Sequence, residues 1–480
     1  NNWRFVQTAQ VDERVRSKKM PKDVVDESMV YVIAHEIGHT LGLMHNMGAS
    51  SAFPVDSLRS VSFTQKYGTT PSIMDYARHN YVAQPEDKGV KLTPPDLGVY
   101  DEYVIQWLYT PVPEAKDMWE EAEIASRLID EKAGDPFYRY GRQQIQSQGF
   151  GQYDPSALME DLGDDPIKAG NYGIKNLKYI LPRMNEWIES DEDTRHRQSL
   201  YTQIVNQYYR YLTNALYQIG GIYLTEVKDG TSGNPVIPVD RERQKSSLFW
   251  VLKELRSCDW INNPELTNKF PLHTKMSSKI CALVASNLLT TIPTNVTLSA
   301  HVAQEKNAYT IQEYFNDLYN EVFSSTLRDR KLTNEEKILQ RSIVTAMAKP
   351  MIAEKNAQKI TADPIVTIEP SLPSLEELRF LGLIHPVLLD RFETQLEYLE
   401  EKFGKGAVAS ALLTEQFGES RFPFQKAVKV NDISEIDIYK QNMVDKINKL
   451  LKNKRTNAHA DDKAHYEYLW RQTRNALDVN

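Results

Sequence analysis

The chain is 480 residues long, carries a formal net charge of −8 and is 41% hydrophobic. This length suits two to four domains with well-buried cores. The acidic balance argues against nucleic-acid binding, because a phosphate backbone attracts clustered Lys and Arg. Cys258 and Cys281 are the only cysteines, so both a pair of buried thiols and a single bridge stay open. No apolar run approaches the about 20 residues of a spanning helix, so we predict no membrane span in this chain.

The first predicted element is a helix over residues 22–41. Pro21 and Asp23 form a helix-start signature, since proline is favoured at the start of a helix and an acid in its first turn. Apolar residues recur along the segment at helical spacing, namely Val24, Val25, Met29, Val32, Ile33 and Leu41. The helix therefore leads directly into a group of histidines near its end.

Three histidines lie within eleven residues of one another. His35 and His39 are four apart and share one helix face. Gly42 stands where the helix must stop, because such a position often needs φ > 0, and the turn that follows returns His45 as a third nitrogen donor. Three neutral imidazoles leave Zn²⁺ one open position, which is typical of a catalytic site. A lone histidine pair at this spacing would equally suit a surface helix, but the full pattern predicts a zinc hydrolase.

The pattern His-Glu-x-x-His-x-x-Gly-x-x-His resembles the motif of the metzincin metallopeptidases, which is followed by a turn containing methionine. The sequence Ser72-Ile73-Met74-Asp75-Tyr76 is similar to that turn, so the resemblance covers roughly residues 24–76. It implies that Met74 forms an apolar floor under the imidazoles; ordinary core packing is the alternative. It also implies that Tyr76 is an extra zinc ligand or oxyanion stabiliser, as in the astacin and serralysin branches, or else a core tyrosine. Asn46, after the third histidine, matches neither the acid nor the proline of several branches, so no branch is assigned.

The chemistry of such a site is hydrolysis of a peptide bond by a metal-activated water. Zn²⁺ lowers the pKa of bound water toward about 7 and polarises a carbonyl. Glu36, beside His35, would accept the proton of the attacking water as general base and deliver it to the leaving amine as general acid. We therefore predict a zinc-dependent endopeptidase acting on a protein or peptide substrate. The alternative is a non-catalytic binding or assembly module in which zinc is structural.

The rest of the chain is predicted to be mainly helical. A Ser, Gly, Thr and Pro-rich loop covers residues 46–71, with a helical turn at 55–59. We place a boundary near Pro113, which separates a metzincin-like catalytic segment, residues 1–113, from a helical region, 114–480, that can divide into two subdomains. Asp165 and Pro166 open one helix. A single small β-hairpin pairs residues 221–227 with 236–239. Helical spacing of apolar residues marks four further segments: Ile174, Leu177, Ile180, Leu181 and Trp187; Ile311, Phe315, Leu318 and Val322; Leu378, Leu381, Leu388 and Leu389; Ile438, Met443, Ile447 and Leu450.

Other side chains could also hold a cation. His79 lies four residues after Asp75 and could replace His45, but His45 already has the expected spacing, so we predict that His79 is not a ligand. A cluster of acids around Gly163 could hold Ca²⁺ through carboxylate oxygens, although helix capping and turn formation explain it more simply. The members of this cluster are Asp161, Asp164 and Asp165.

In metzincins a mixed sheet with a substrate-pairing edge strand precedes the zinc helix. Only 34 residues precede His35, too few for that sheet. The motifs are similar to those of large exported bacterial metzincin-like proteases, in which they lie late in a longer polypeptide. We therefore expect this chain to be the C-terminal portion of such a precursor, with the upstream part as its partner. By the same resemblance it is exported, to the periplasm or the cell surface or beyond, and its primary specificity pocket is shaped by Ile73, Tyr81 and Val82.

Overall fold

The computed structural model describes residues 2–77, 79–142, 153–225, 227, 234–270, 275–304, 307–360 and 433–477. Within these ranges the chain forms seventeen α-helices, a few 3₁₀ turns and one two-stranded sheet, which confirms the mainly α fold class. The elements are α1 (Asn2–Thr8), α2 (Lys22–Thr40), α3 (Val61–Tyr67), α4 (Val99–Tyr109), α5 (Met118–Lys132), α6 (Pro166–Ile180), α7 (Met184–Trp187), α8 (Arg195–Leu216), β1 (Ile222–Leu224), β2 (Val236–Pro238), α9 (Arg241–Leu255), α10 (Pro264–Thr267), α11 (Met276–Leu289), α12 (Thr291–Val302), α13 (Ile311–Val322), α14 (Ser324–Leu327), α15 (Asn334–Ile360), α16 (Ile433–Asn457) and α17 (Ala460–Leu477).

Helix α2 begins at the predicted residue and ends one residue before the predicted end. Its last turn closes with two hydrogen bonds, from the Gly42 N–H to the His39 carbonyl (3.0 Å) and from the Leu43 N–H to the Gly38 carbonyl (3.0 Å). This is the Schellman pattern, in which the residue after the cap is left-handed. Gly42 has φ +85°, so the predicted reason for a glycine here is confirmed. The sharp stop reverses the chain directly in front of His45.

Helices α6 and α8 form the centre of the core. Helix α8 packs against α1, α6 and α9, and its buried face includes Leu200, Ile204, Tyr208 and Leu212. Side chains of this size each stabilise the fold by roughly 1.5–3 kcal/mol when buried. Asp165 caps α6 by accepting hydrogen bonds from two backbone N–H groups of its first turn, as predicted. The 3₁₀ turn Val55–Arg59 also matches its prediction.

The β-hairpin is shorter than predicted. Strands β1 and β2 are antiparallel, with Ile222 opposite Pro238 and Leu224 opposite Val236. Most of the connecting loop, including residues 228–233, lies outside the described residues. Three residues a strand make a marginal sheet on their own, and the buried Ile222 attaches it to the helical core.

The predicted periodicity of the C-terminal helices is confirmed for α13 and holds only in part for α16. The four predicted residues of α13, Ile311, Phe315, Leu318 and Val322, are all buried. In α16, Met443 and Ile447 are buried, whereas Ile438 is exposed. The predicted helical segment with Leu378, Leu381, Leu388 and Leu389 lies outside the described residues.

The chain divides into two compact units. One comprises Asn1–Gln144, Gly151–Met351 and Asp432–Asn480; the other comprises Ile145–Phe150 and Ile352–Asn431, of which only residues 352–360 are described. The predicted boundary near Pro113 stays a prediction. Among the described residues, Met276–Val302 alone is long and apolar enough to cross a membrane by length and composition. More than half of its most apolar window is buried inside the protein, a property shared with core helices.

Candidate metal centre

The three histidines of the sequence motif converge in space. One ring nitrogen from each of His35, His39 and His45 lies within 4.8 Å of the others. In the part of the chain that the structure describes, this is the one group of three or more His, Cys, Asp or Glu side chains close enough to share an ion. Helix α2 carries His35 and His39, and the chain reversal at Gly42 places His45 next to them.

Two of the imidazoles are oriented by main-chain carbonyl groups. The Nδ1–H of His35 donates to the Ile73 carbonyl (2.7 Å) and the Nδ1–H of His39 to the Leu43 carbonyl (2.9 Å). A carbonyl oxygen only accepts, so the proton of each neutral ring is on Nδ1 and the Nε2 lone pair is free for a metal. Burial lowers the pKa of His35 and so favours its neutral, ligating form.

The spacing of one pair of nitrogens fits a tetrahedral metal ion. The Nε2 atoms of His39 and His45 are 3.2 Å apart. Two imidazole nitrogens at about 2.0–2.1 Å from a tetrahedral Zn²⁺ would lie about 3.3–3.4 Å apart. Because the His39 Nε2 carries no proton, its lone pair can bind a positive ion placed between these two atoms. The donor set therefore fits a metal ion.

The Met-turn, residues 72–76, packs against the C-terminal part of α2. Met74 is wholly buried and clusters with Leu43 and Ile73. Gly38 leaves the space for it, since a Cβ there would lie 2.5 Å from the Met74 sulfur. The turn is held by Asp101 of α4, whose carboxylate accepts hydrogen bonds from the Ile73 N–H (2.8 Å) and the Ser72 hydroxyl (2.6 Å).

Tyr76 and Glu36 complete the site. The Tyr76 hydroxyl is 3.0 Å from the His45 Nε2, and its ring centroid lies 4.8 Å from that of His45 and 5.4 Å from that of His35. The half-buried phenol therefore faces the metal position. Glu36 is exposed on α2, and its negative charge acts on the adjacent His35 to raise that residue's pKa against the larger effect of burial. This carboxylate is exposed and adjacent in the sequence to the first histidine of the metal group.

Residues 17–330, close to two thirds of the chain, match a protein family described as Met-zincin. The chain belongs to this family. The matched residues include all three histidines and the Met-turn. It confirms the metzincin resemblance and implies a metal ion at the three histidines. No curated protein and no solved structure was found to match the chain.

Several residues considered from the sequence lie away from the metal position of the Met-zincin. His79 is buried, and its Nδ1 is 3.1 Å from the Gln7 side-chain oxygen. Tyr81 and Val82 lie in the core. The Tyr81 hydroxyl accepts a hydrogen bond from the Leu162 N–H (3.0 Å). The expectation that Ile73, Tyr81 and Val82 shape the specificity pocket stays a prediction.

The acids around Gly163 serve local structure rather than one cation. Asp164 accepts a hydrogen bond from the Val55 N–H (3.1 Å), and Asp165 caps α6. Asp161 instead turns inward toward Ser50 and Asp75. The simpler of the two explanations weighed from the sequence therefore accounts for Asp164 and Asp165.

Sequence reasoning missed three supporting residues of the Met-zincin site. Asp101 had a detectable signal, since an acid at the third position of α4 accepts from the Gly98 N–H and closes a capping pattern. Ser50 bridges two buried acids, donating its N–H to Asp75 (2.6 Å) and its hydroxyl to Asp161 (3.3 Å). Asn46 is the third, and it had been noticed only as a departure from the motif.

Proposed function

We propose that this Met-zincin is a zinc-dependent endopeptidase. The observation that carries the proposal is the convergence of three imidazole nitrogens, with a phenol hydroxyl next to them and an exposed glutamate adjacent to His35 in the sequence. Three imidazole nitrogen donors suit Zn²⁺ among the common divalent ions. Three protein ligands leave a fourth position for water or substrate, which is typical of catalytic sites.

Each side chain has a distinct role in the proposed reaction. His35, His39 and His45 hold the ion, which when bound activates a water for attack and polarises the scissile carbonyl. Glu36 accepts the proton of the attacking water and passes it to the nitrogen of the leaving amine. Tyr76 donates a hydrogen bond to the oxyanion that develops on the substrate carbonyl, which lowers the barrier rather than the ground state.

The substrate is proposed to be a protein or peptide, and the upstream part of the same precursor is proposed to help hold it. Helix α2 supports this proposal, because Met29, Val32, Ile33 and Ile37 are about half exposed on the helix that carries the ligands. An apolar surface of this kind is usually covered by a partner. A sheet packed there would supply an edge strand to which an extended peptide can add. By likeness to exported metzincin-like proteases, the proposed location is the periplasm, the cell surface or the outside of the cell.

The test of the proposed function combines metal content with peptide cleavage. Wild type is expected to hold one zinc ion per chain and to cleave members of an unbiased peptide library. Glu36→Gln is expected to keep the zinc and to lose cleavage by about 10²–10⁴-fold, because the amide keeps the shape but cannot accept a proton. His39→Ala is expected to lose the zinc.

The matched control is Asp26→Asn, which neutralises an exposed acid on the same helix that pairs with Lys22. It is expected to leave both readouts unchanged. Stoichiometric zinc in His39→Ala would refute the ligand set, and full turnover in Glu36→Gln would refute the role of Glu36. Zinc without any cleavage by wild type would favour the structural role of the metal.

A further inference from the structure

Asn46, the residue directly after the third histidine, is bonded on three sides. Its main-chain N–H donates to the Met74 carbonyl (3.0 Å). Its side-chain Nδ2 donates to the Arg139 carbonyl (3.0 Å), and its Oδ1 accepts from the Gly141 N–H (2.7 Å). The residue is wholly buried. One asparagine therefore ties the chain beyond His45 both to the Met-turn and to a segment more than ninety residues away.

We call residues 139–142 the strap. It runs antiparallel to the chain at Asn46, with a bridge between Asn46 and Arg142 and a hydrogen bond from the Gly48 N–H to the Gly141 carbonyl (3.1 Å). The approach of the two segments requires both glycines, because a Cβ on Gly141 would lie 2.5 Å from the Gly48 Cα. This close fit defines the strap's position along the chain segment that leaves the metal centre.

The strap is itself fixed to the body of the same compact unit. The Arg139 guanidinium donates to the Ser156 hydroxyl (2.7 Å) and to the Asp154 carboxylate (3.0 Å). It also donates to the Leu224 carbonyl of β1 (3.1 Å). The Asp154 carboxylate is almost fully buried, so its interaction with Arg139 is shielded from water and holds the strap firmly.

We propose that Asn46 is a positioning residue that holds His45 in its ligating place by fastening it to the strap. The proposal rests on the proposed metal role of the three histidines. His45 follows the end of α2, so no helical hydrogen bonds fix its main chain. The hydrogen bonds of Asn46 instead fix the main chain directly after His45. Outer-shell groups of this kind typically change metal affinity by about 10–100-fold when they are removed.

The experiment measures the zinc dissociation constant by competition with a chromophoric chelator. Asn46→Ala removes both side-chain bonds and is expected to weaken zinc binding by about 10–100-fold. The visible absorption of bound Co²⁺, which reports coordination geometry, is expected to change as well. Asn46→Ser, which keeps a hydroxyl for one of the two bonds, is expected to weaken binding less and serves if the alanine variant does not fold.

The matched control is Asn176→Ala. Asn176 is equally buried, and its amide donates to two backbone carbonyls, those of Tyr81 (2.8 Å) and Ala83 (3.1 Å), but no metal ligand adjoins it. This variant is expected to lose thermal stability in the metal-free state like Asn46→Ala, while its zinc affinity stays within about threefold of wild type, well below the effect of an outer-shell loss.

Three outcomes separate the possibilities. Zinc binding by wild type with unchanged affinity in the Asn46 variants would overturn the positioning role alone. Equal weakening in Asn176→Ala would also overturn it, because the effect would then follow stability. Absence of zinc binding by wild type would instead refute the proposed function on which the positioning role rests.

Discussion

Main-chain carbonyl groups orient the imidazoles of His35 and His39. The acceptors are at Ile73, next to the methionine of the Met-turn, and at Leu43, just past the end of α2. Many metal sites use a carboxylate for this purpose, whose negative charge also raises the basicity of the ligand. A carbonyl supplies direction without a full charge, so here the ring orientation depends on the path of the backbone rather than on one further side chain.

Tyr76 is expected to act in the transition state. Tyr76→Phe is predicted to keep the zinc and to lower kcat by about 10²–10³-fold, the usual loss for an oxyanion donor, with little change in KM. Steady-state kinetics on one cleaved peptide measure both constants. Tyr109→Phe is the control, because that exposed tyrosine donates to the Leu41 carbonyl and not to the metal position. A loss of folding stability with unchanged kcat would show that Tyr76 is a core residue only.

Asp75 of the Met-turn is one of two buried carboxyl groups that are linked through Ser50. Asp75 and Asp161 are both buried and are bridged by Ser50, and the Asp75 Oδ1 has no hydrogen-bond partner. Burial raises the pKa of both carboxyl groups, and the negative charge of Asp161 raises that of Asp75 further. The folded pair therefore retains a proton at pH values where the unfolded chain has released it.

A raised pKa in the folded state makes stability fall as pH rises, because folded protein then binds more protons than unfolded protein. The fall should begin near pH 4, where unfolded aspartate titrates, and continue toward neutral pH. The Asp161→Asn side chain cannot ionise. The free energy of unfolding of this variant is therefore predicted to increase relative to that of wild type as the pH rises from 5 to 8. Urea unfolding of the metal-free proteins measures this, and histidine contributions cancel in the difference. Parallel pH profiles for the two proteins would contradict it.

At the scale of elements, α2 packs closely against the Met-turn because Gly38 has no side chain. Alanine is a better helix former than glycine by about 1 kcal/mol, so Gly38→Ala would stabilise an isolated helix. In the folded protein the new Cβ would lie 2.5 Å from the Met74 sulfur, so the wholly buried Met74 side chain would have to shift against its neighbours. Overpacking of this kind costs about 1–3 kcal/mol.

We therefore predict that Gly38→Ala lowers the free energy of unfolding and weakens zinc binding, because Met74 must move and the adjacent Ile73 carbonyl orients His35. Chelator competition and urea unfolding give the two values. Gly173→Ala is the matched control: it is a glycine within a helix whose Cβ would collide with Tyr211 in the core, but it is far from the metal ligands in the sequence. The control is expected to lose stability at unchanged zinc affinity. Loss of affinity in both variants would mean that general destabilisation explains the result.

At the scale of the whole molecule, the described residues include many exposed apolar side chains on α2, on α4 and at the start of α5, which we call the apolar face. Helix α4 meets the end of α2 where the Tyr109 hydroxyl donates to the Leu41 carbonyl (2.9 Å). Exposed apolar residues lie on both helices and at the start of α5: Met29, Val30, Val32, Ile33, Ile37 and Leu41; Trp107, Leu108 and Tyr109; Met118 and Trp119. Soluble proteins seldom leave such residues uncovered over a large area.

A longer polypeptide that carries the preceding ~100–200 residues, a domain-sized addition, is predicted to cleave peptides with a higher kcat/KM than this chain. The added part would bury the apolar face and align the substrate, so hydrogen exchange in α2 should slow as well. The two proteins are compared on one peptide, with Glu36→Gln in the longer form as the blank. Equal kcat/KM and equal exchange would mean that the helices described here build the substrate cleft.

Local spacing determined much of this protein from the sequence alone. The extent of α2, the glycine turn, the Asp165 cap, the turn at Val55–Arg59 and the position of the hairpin follow from residues only a few positions apart. The same holds for the histidine set, whose members span eleven residues. Periodicity, caps and turn residues act over short distances, so the order of residues is enough to predict them.

Contacts between distant parts of the chain were decided by the tertiary structure. Asn46 forms hydrogen bonds with strap residues that lie 93 and 95 positions away in the sequence. Ser50 forms one with Asp161, 111 positions away. Tyr81, near the Met-turn in sequence, enters the core because Tyr211 and the Leu162 N–H are its partners there. No short-range pattern encodes such pairings, because each depends on where whole helices pack, and packing is set by the summed burial of many side chains rather than by any one of them.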